Sequence, residues 1–210
     1  MKITKFLPIA LSAMMLAPAS FAASGTASSN LQINVPEFIN ITTTSPSAKS
    51  ATFDDNYSQI TLNEAMVSNF HVITNYNGKQ IKLSASALAD GPATAPALFG
   101  TAASPIIVLS NETVKPTTAQ IASCGALSAV AENPNCIAFR LTPTITPDAS
   151  TPATIQGSPA FASNEITYTL TNGIYDFKYT SSIAAEGTTF STHDEMGTYK
   201  ATLTMTEIAI

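Results

Sequence analysis

Two histidines, two cysteines and a thin scatter of carboxylates are all that this 210-residue chain offers for chemistry. His71 falls on the polar side of an alternating run and is expected as a surface residue of a strand. His193-Asp194-Glu195 has the residue types for a metal or acid–base site, but it stands before Gly197 in a polar stretch, where a solvated turn is the stronger reading. Asp54-Asp55 reads the same way. No GxSxG elbow, HExxH helix or glycine-rich phosphate loop occurs, so no catalytic residue, metal ligand or cofactor is expected and the chain reads as a non-enzyme. Cys124 and Cys136 enclose a short segment with Gly125, Asn133 and Pro134. In an exported chain such a pair joins, and one local disulfide is expected, worth ~3 kcal/mol in the chain-entropy model. A metal or redox role lacks both a CxxC spacing and nearby ligands.

Export is itself read from the sequence. Lys2 and Lys5 precede an apolar run from Phe6 to Ala17 that leads into Ser20, Phe21 and Ala22, the pattern of a secretory signal peptide over residues 1–22. No later apolar run approaches the roughly 20 residues that span a bilayer. Removing the signal leaves seven basic residues against fourteen acidic ones, a net charge of −7. Basic residues scattered singly on an acidic chain leave no electrostatic footprint for nucleic acid or anionic lipid. Asn40, Asn56 and Asn111 head glycosylation sequons, but such matches often arise by chance in a chain this rich in Asn, Ser and Thr and matter only in a eukaryotic host.

The elements are strands. Gly25, Ala27, Ser29, Leu31, Ile33 and Val35 fall on one face, with polar residues between them and Pro36 as a stop, a period-two pattern at the start of the mature chain. Alternation recurs at Glu37 to Thr42, Tyr57 to Leu62, Asn69 to Tyr76, Gln80 to Ser86, Ile137 to Leu141, Ile166 to Leu170 and Tyr175 to Tyr179. Ile106 to Leu109 is a short apolar strand. A last strand puts Tyr199, Ala201, Leu203 and Met205 inward. Asn77-Gly78 and Asn172-Gly173 tolerate positive φ and predict two hairpins. The Pro-rich stretches Ala89 to Ser104 and Thr142 to Ala160 predict loops. Only turns are expected near Asn63 to Ser68 and Thr117 to Ala122. Some eight short strands without a convincing helix give an all-β fold, an immunoglobulin-like β-sandwich.

These parts resemble a chaperone-usher pilus subunit of the alternate-chaperone, colonisation-factor type. The resemblance lies in the signal, in LQINVPEFINIT from Leu31 to Thr42, in the hairpin segment His71 to Ser86, and in the G-x-Y-x-A-x-L-x-M pattern that starts at Gly197. It implies a sandwich over residues 37–210 that lacks its last strand. A periplasmic chaperone, and then the N-terminal segment 23–36 of another copy, would complete it. Ala27, Ser29, Leu31, Ile33 and Val35 would be the donor residues. The implied partners are copies of this chain, the chaperone and an outer-membrane usher, with a host-surface receptor left open. The implied location is the bacterial surface, after transit through the periplasm, in a filament that supports adhesion or biofilm formation. The other reading is a self-contained secreted binding module for carbohydrate or protein, in which Gly25 to Val35 pairs within its own domain. Tyr57, Tyr76, Tyr175 or Tyr179 would then line the site.

Overall fold

The computed structural model describes residues 32–53, 59–91, 93–127, 135–186 and 196–209. The signal, Asp54-Asp55, Tyr57 and His193-Asp194-Glu195 lie outside them. The chain divides into Met1–Val35 and Pro36–Ile210. Of the first unit, residues 32–35 are described, exposed and without regular secondary structure.

In chain order the second unit runs β1 (Ile39–Thr44), β2 (Ala51–Phe53), β3 (Ile60–Leu62), β4 (Val67–Thr74), β5 (Lys79–Leu88), β6 (Thr94–Pro96), β7 (Leu98–Gly100) and β8 (Pro105–Asn111). It continues with α1 (Thr118–Gly125), β9 (Cys136–Pro147), β10 (Ala160–Ala162), β11 (Glu165–Leu170), β12 (Gly173–Ser181), β13 (Tyr199–Lys200) and β14 (Thr202–Glu207). One sheet has the order β1-β4-β12-β9-β8-β13, with β7 also on β8. The other has the order β10-β11-β5-β14, with β6 also on β5, and β2 and β3 form a small ribbon. Each described strand pairing is antiparallel. The fold is therefore all-β and antiparallel, as expected.

Alternation dictates which faces are buried. On β4, Phe70, Val72 and Thr74 point in, and on β5 Ile81, Leu83, Ala85 and Ala87 do. Tyr175, Phe177 and Tyr179 of β12 meet Ile166, Tyr168 and Leu170 of β11, so the two sheets share one hydrophobic core. Inside it the Tyr179 hydroxyl donates to the Tyr168 hydroxyl at 2.9 Å. Burial raises the pKa of both phenols. The Tyr168 and Phe177 rings pack edge to face at 5.1 Å.

Neither expected hairpin forms. β4 pairs with β1 and β12, whereas β5 pairs with β11, β14 and β6, so Asn77-Gly78 is a corner between sheets. Asn172-Gly173 likewise leads from β11 in one sheet to β12 in the other. The two corners are laced together: the Asn172 N–H donates to Asn77 Oδ1 at 2.9 Å and the Gly78 N–H to Leu170 O at 2.8 Å. Gly78 has φ +83°, the left-handed conformation that its sequence signature offers.

Both expected loops contain strands. Within Ala89 to Ser104 lie β6 and β7, and Ala95, Ala97 and Leu98 are buried. The Ala97 N–H bonds Ala85 O and its carbonyl accepts from the Val108 N–H, both at 2.9 Å, so the chain changes sheets at this small residue. β9 runs on to Pro147: residues 136–140 pair with β8 and residues 141–147 with β12. Pro143 and Pro147 sit where only one neighbour pairs, the place a sheet tolerates proline. Thr117 to Ala122 is the start of a true helix. Thr117 Oγ1 accepts from the Gln120 N–H while Gln120 Oε1 accepts from the Thr117 N–H, a capping box.

Candidate strand-acceptor edge

A sheet that is not closed leaves edges, and natural proteins blunt them with short strands, prolines or charges. Here β10, β7 and β13 have two or three residues each. β9 carries Pro143 and Pro147 along its singly paired half. Two edges are left unblunted among the described residues. β1 ends its sheet and β14 ends the other, six residues each, without proline, and uncharged up to Glu207.

These two strands come into contact with one another although they end different sheets. Their inward residues are only half-buried: Ile39 and Ile41 on β1, and Leu203 on β14 with Ala201 just before it. Inward residues of the central strands, such as Leu83 and Phe177, are 0% exposed. The difference is what a missing neighbour produces, because an edge residue lacks the cover that a flanking strand gives. The inward set of the last strand is the one its alternation predicts, with Met205 buried at the end.

Ion pairs mark the two ends of this edge. At the corner end, Lys79 bonds Glu207, which holds the ammonium above its ordinary pKa against the opposing effect of burial; the nearby charges of Glu37 and Tyr76 add in the same sense. At the other end the last strand leaves its sheet at Ala201, since Tyr199 and Lys200 pair with Asn111 and Ser110 of β8. Lys200 stands 3.5 Å from Glu112 there. A shallow cavity of about 120 Å³ lies beside Thr202, among Ser86, Leu88 and Thr94.

Of the expected donor residues, Ile33 and Val35 are 85% and 72% exposed, and Ala27, Ser29 and Leu31 lie outside the described residues. Cys124 of α1 and Cys136 of β9 are both buried, and the structure does not join them; Cys136 Sγ lies 3.7 Å from Gln120 O. His71 pairs through Nδ1 with Asp176 Oδ1 at 2.7 Å, across the register that sets these two residues opposite each other on β4 and β12. It is a cross-strand surface pair. Among the described residues no group of three or more His, Cys, Asp or Glu could hold a metal ion.

Two aromatic residues expected at a ligand site are core instead. Tyr175 and Tyr179 are 0% and 1% exposed, and the Tyr175 hydroxyl lies 2.8 Å from Thr154 O and 2.9 Å from Thr171 O. They lie on the inward face of β12 with Phe177, which removes them from a binding surface. Asn111 is buried too, its Oδ1 accepting from the Thr113 and Val114 N–H groups. Which strands carry the open edges escaped the sequence reading, since alternation shows which face of a strand is buried and not which strands have a neighbour. No protein-family model, no curated protein and no solved structure matches this chain.

Proposed function

We propose that this protein is a structural subunit of an extracellular bacterial filament, an immunoglobulin-like sandwich without its final strand, completed by residues 25–35 of another copy. The bare outer edge of β14 carries the reading. In a seven-strand immunoglobulin domain one sheet has the order A-B-E-D and the other C-F-G. The order β1-β4-β12-β9 supports reading these strands as A-B-E-D, with β8, β13 and β7 added beyond β9, and the pair β5-β14 as C-F, with β10 and β11 added on the far side of β5. G would lie outside β14, where no described strand pairs.

An added strand supplies main-chain hydrogen bonds to that edge and side chains to the half-covered row of Ile39, Ile41 and Leu203. Leu31, Ile33 and Val35 are spaced two apart, as three inward residues of one strand must be. Donation from copy to copy is head-to-tail and does not close, so it builds a filament. The same edge would aggregate in transit unless covered, the task of a periplasmic chaperone before an usher releases the chain to the surface. Adhesion or biofilm formation is then the role of the assembled fibre.

Completion in cis tests the proposal. Residues 25–35, moved to follow Ile210 through a short flexible linker, should give a monomer that no longer polymerises and that melts well above the parent chain. An unchanged melting temperature and unchanged self-association would refute it.

A further inference from the structure

We propose that Phe38 of one copy seats in the cavity beside Thr202 of the copy that accepts its N-terminal strand, an inference that rests on the strand-donation reading above. Phe38 is 49% exposed just ahead of β1. Its backbone is clamped: the Phe38 N–H donates to Asn75 Oδ1 at 2.8 Å, the Asn75 N–H returns to Phe38 O, and Asn75 Nδ2 donates to Pro36 O at 2.8 Å. An aromatic side chain held by a fixed backbone and left to solvent has the form of an interface anchor, since little ordering entropy remains to be lost.

Direction and reach place it. Every described pairing in the receiving sheet is antiparallel, so a strand that extends the pattern beyond β14 runs against it and leaves at the Thr202 end. Pro36 stops the donor strand there. Three residues from Val35 reach about 10 Å, enough to bring position 38 past the Thr202 end of β14 to the outer face of the sheet. Ser86 and Leu88 of the cavity lining alternate along β5 with the buried Ala85 and Ala87, which puts the cavity on that outer face. Its walls are Ser86, Leu88, Thr94, Glu112, Lys200 and Thr202. Leu88 offers apolar contact, and the ammonium of Lys200, beside Glu112, can lie over the ring.

A photoreactive phenylalanine analogue at position 38, irradiated in assembled filaments and mapped by mass spectrometry, tests this directly. The expected crosslink joins two copies, from position 38 to a peptide containing Leu88, Thr94 or Thr202. Filaments of Phe38→Ala should still form, because Phe38 is outside the donor strand, and should release monomer in detergent about tenfold faster, the loss of one interface anchor. Crosslinks to another surface, or release at the parental rate from an intact ladder, would overturn the seat of Phe38 and leave strand donation standing. Absence of any ladder from the unmodified protein would overturn both.

Discussion

Replacing Ile33 by aspartate separates the fold of the subunit from its assembly. In the free chain Ile33 is 85% exposed, so its replacement should change the stability of the domain by no more than about 0.5 kcal/mol. In the proposed filament the same side chain would fill the gap between β14 and β1. Losing its burial there costs about 1.5 to 3 kcal/mol. A carboxylate left in that apolar gap adds several kcal/mol more. The sum, about 5 kcal/mol or above, lowers the association constant more than roughly a thousandfold at 1.4 kcal/mol per decade. The assay compares subunit exported to the periplasm with polymer sheared from the cell surface, by immunoblot. Export at the parental level with no polymer is the expected result. Asn34→Asp, on the outward side of the donor, should assemble normally. Parental filaments from Ile33→Asp would refute the donor role, and loss of the subunit from the periplasm would show that Ile33 supports the subunit's own fold.

Other expectations follow from the core and its edges. Leu83→Ala, at a fully buried central position, should cost about 2 to 5 kcal/mol in thermal or urea unfolding, whereas Leu203→Ala should cost less in the subunit and be felt chiefly as weaker filaments. Tyr179→Phe should destabilise by about 1 to 3 kcal/mol by stripping a buried hydroxyl of its partner, and the double change with Tyr168→Phe should cost less than the two single changes summed. Because burial raises the pKa of both phenols, the stability they contribute is whole below about pH 10 and is lost as pH rises above it. Their tyrosinate absorbance should therefore appear only as the protein unfolds in alkali. On export to the proposed oxidising compartment, Cys124 and Cys136 should join and then resist alkylation in denaturant until a reductant is added. Ready alkylation without reductant would show two thiols.

Local periodicity made most strands legible, and the inward sets on β4, β5, β11, β12 and β14 follow from it. Pairing was less legible, for a physical reason seen at Asn77-Gly78. Two alternating strands joined by a positive-φ turn can bond to each other or face each other across a core, and their inward residues are the same in both cases. The choice came from outside the segment: β1 and β12 occupy both flanks of β4, and the Asn77 side chain serves the backbone of the second corner instead of a hairpin of its own. Proline misled in β9, where Pro143 and Pro147 read as loop although a singly flanked strand accommodates them. Alanine misled between Ala89 and Ser104, because small side chains carry little periodic signal yet allow the close crossing at Ala97. The Thr117 capping box was present in the sequence as Thr-x-x-Gln and identified a helix read only as a turn. The candidate edge was the least legible part, since its defining property is a neighbour that no other described strand supplies.

In the proposed filament, copies of this chain are linked by strands donated across the β14 edge. Surface-sheared material from the native host, run on a detergent gel unheated and boiled and probed for this protein, reads out that linkage. A ladder of multimers in the unheated lane that collapses to monomer on boiling is the predicted result. A single monomer band in both lanes would contradict it.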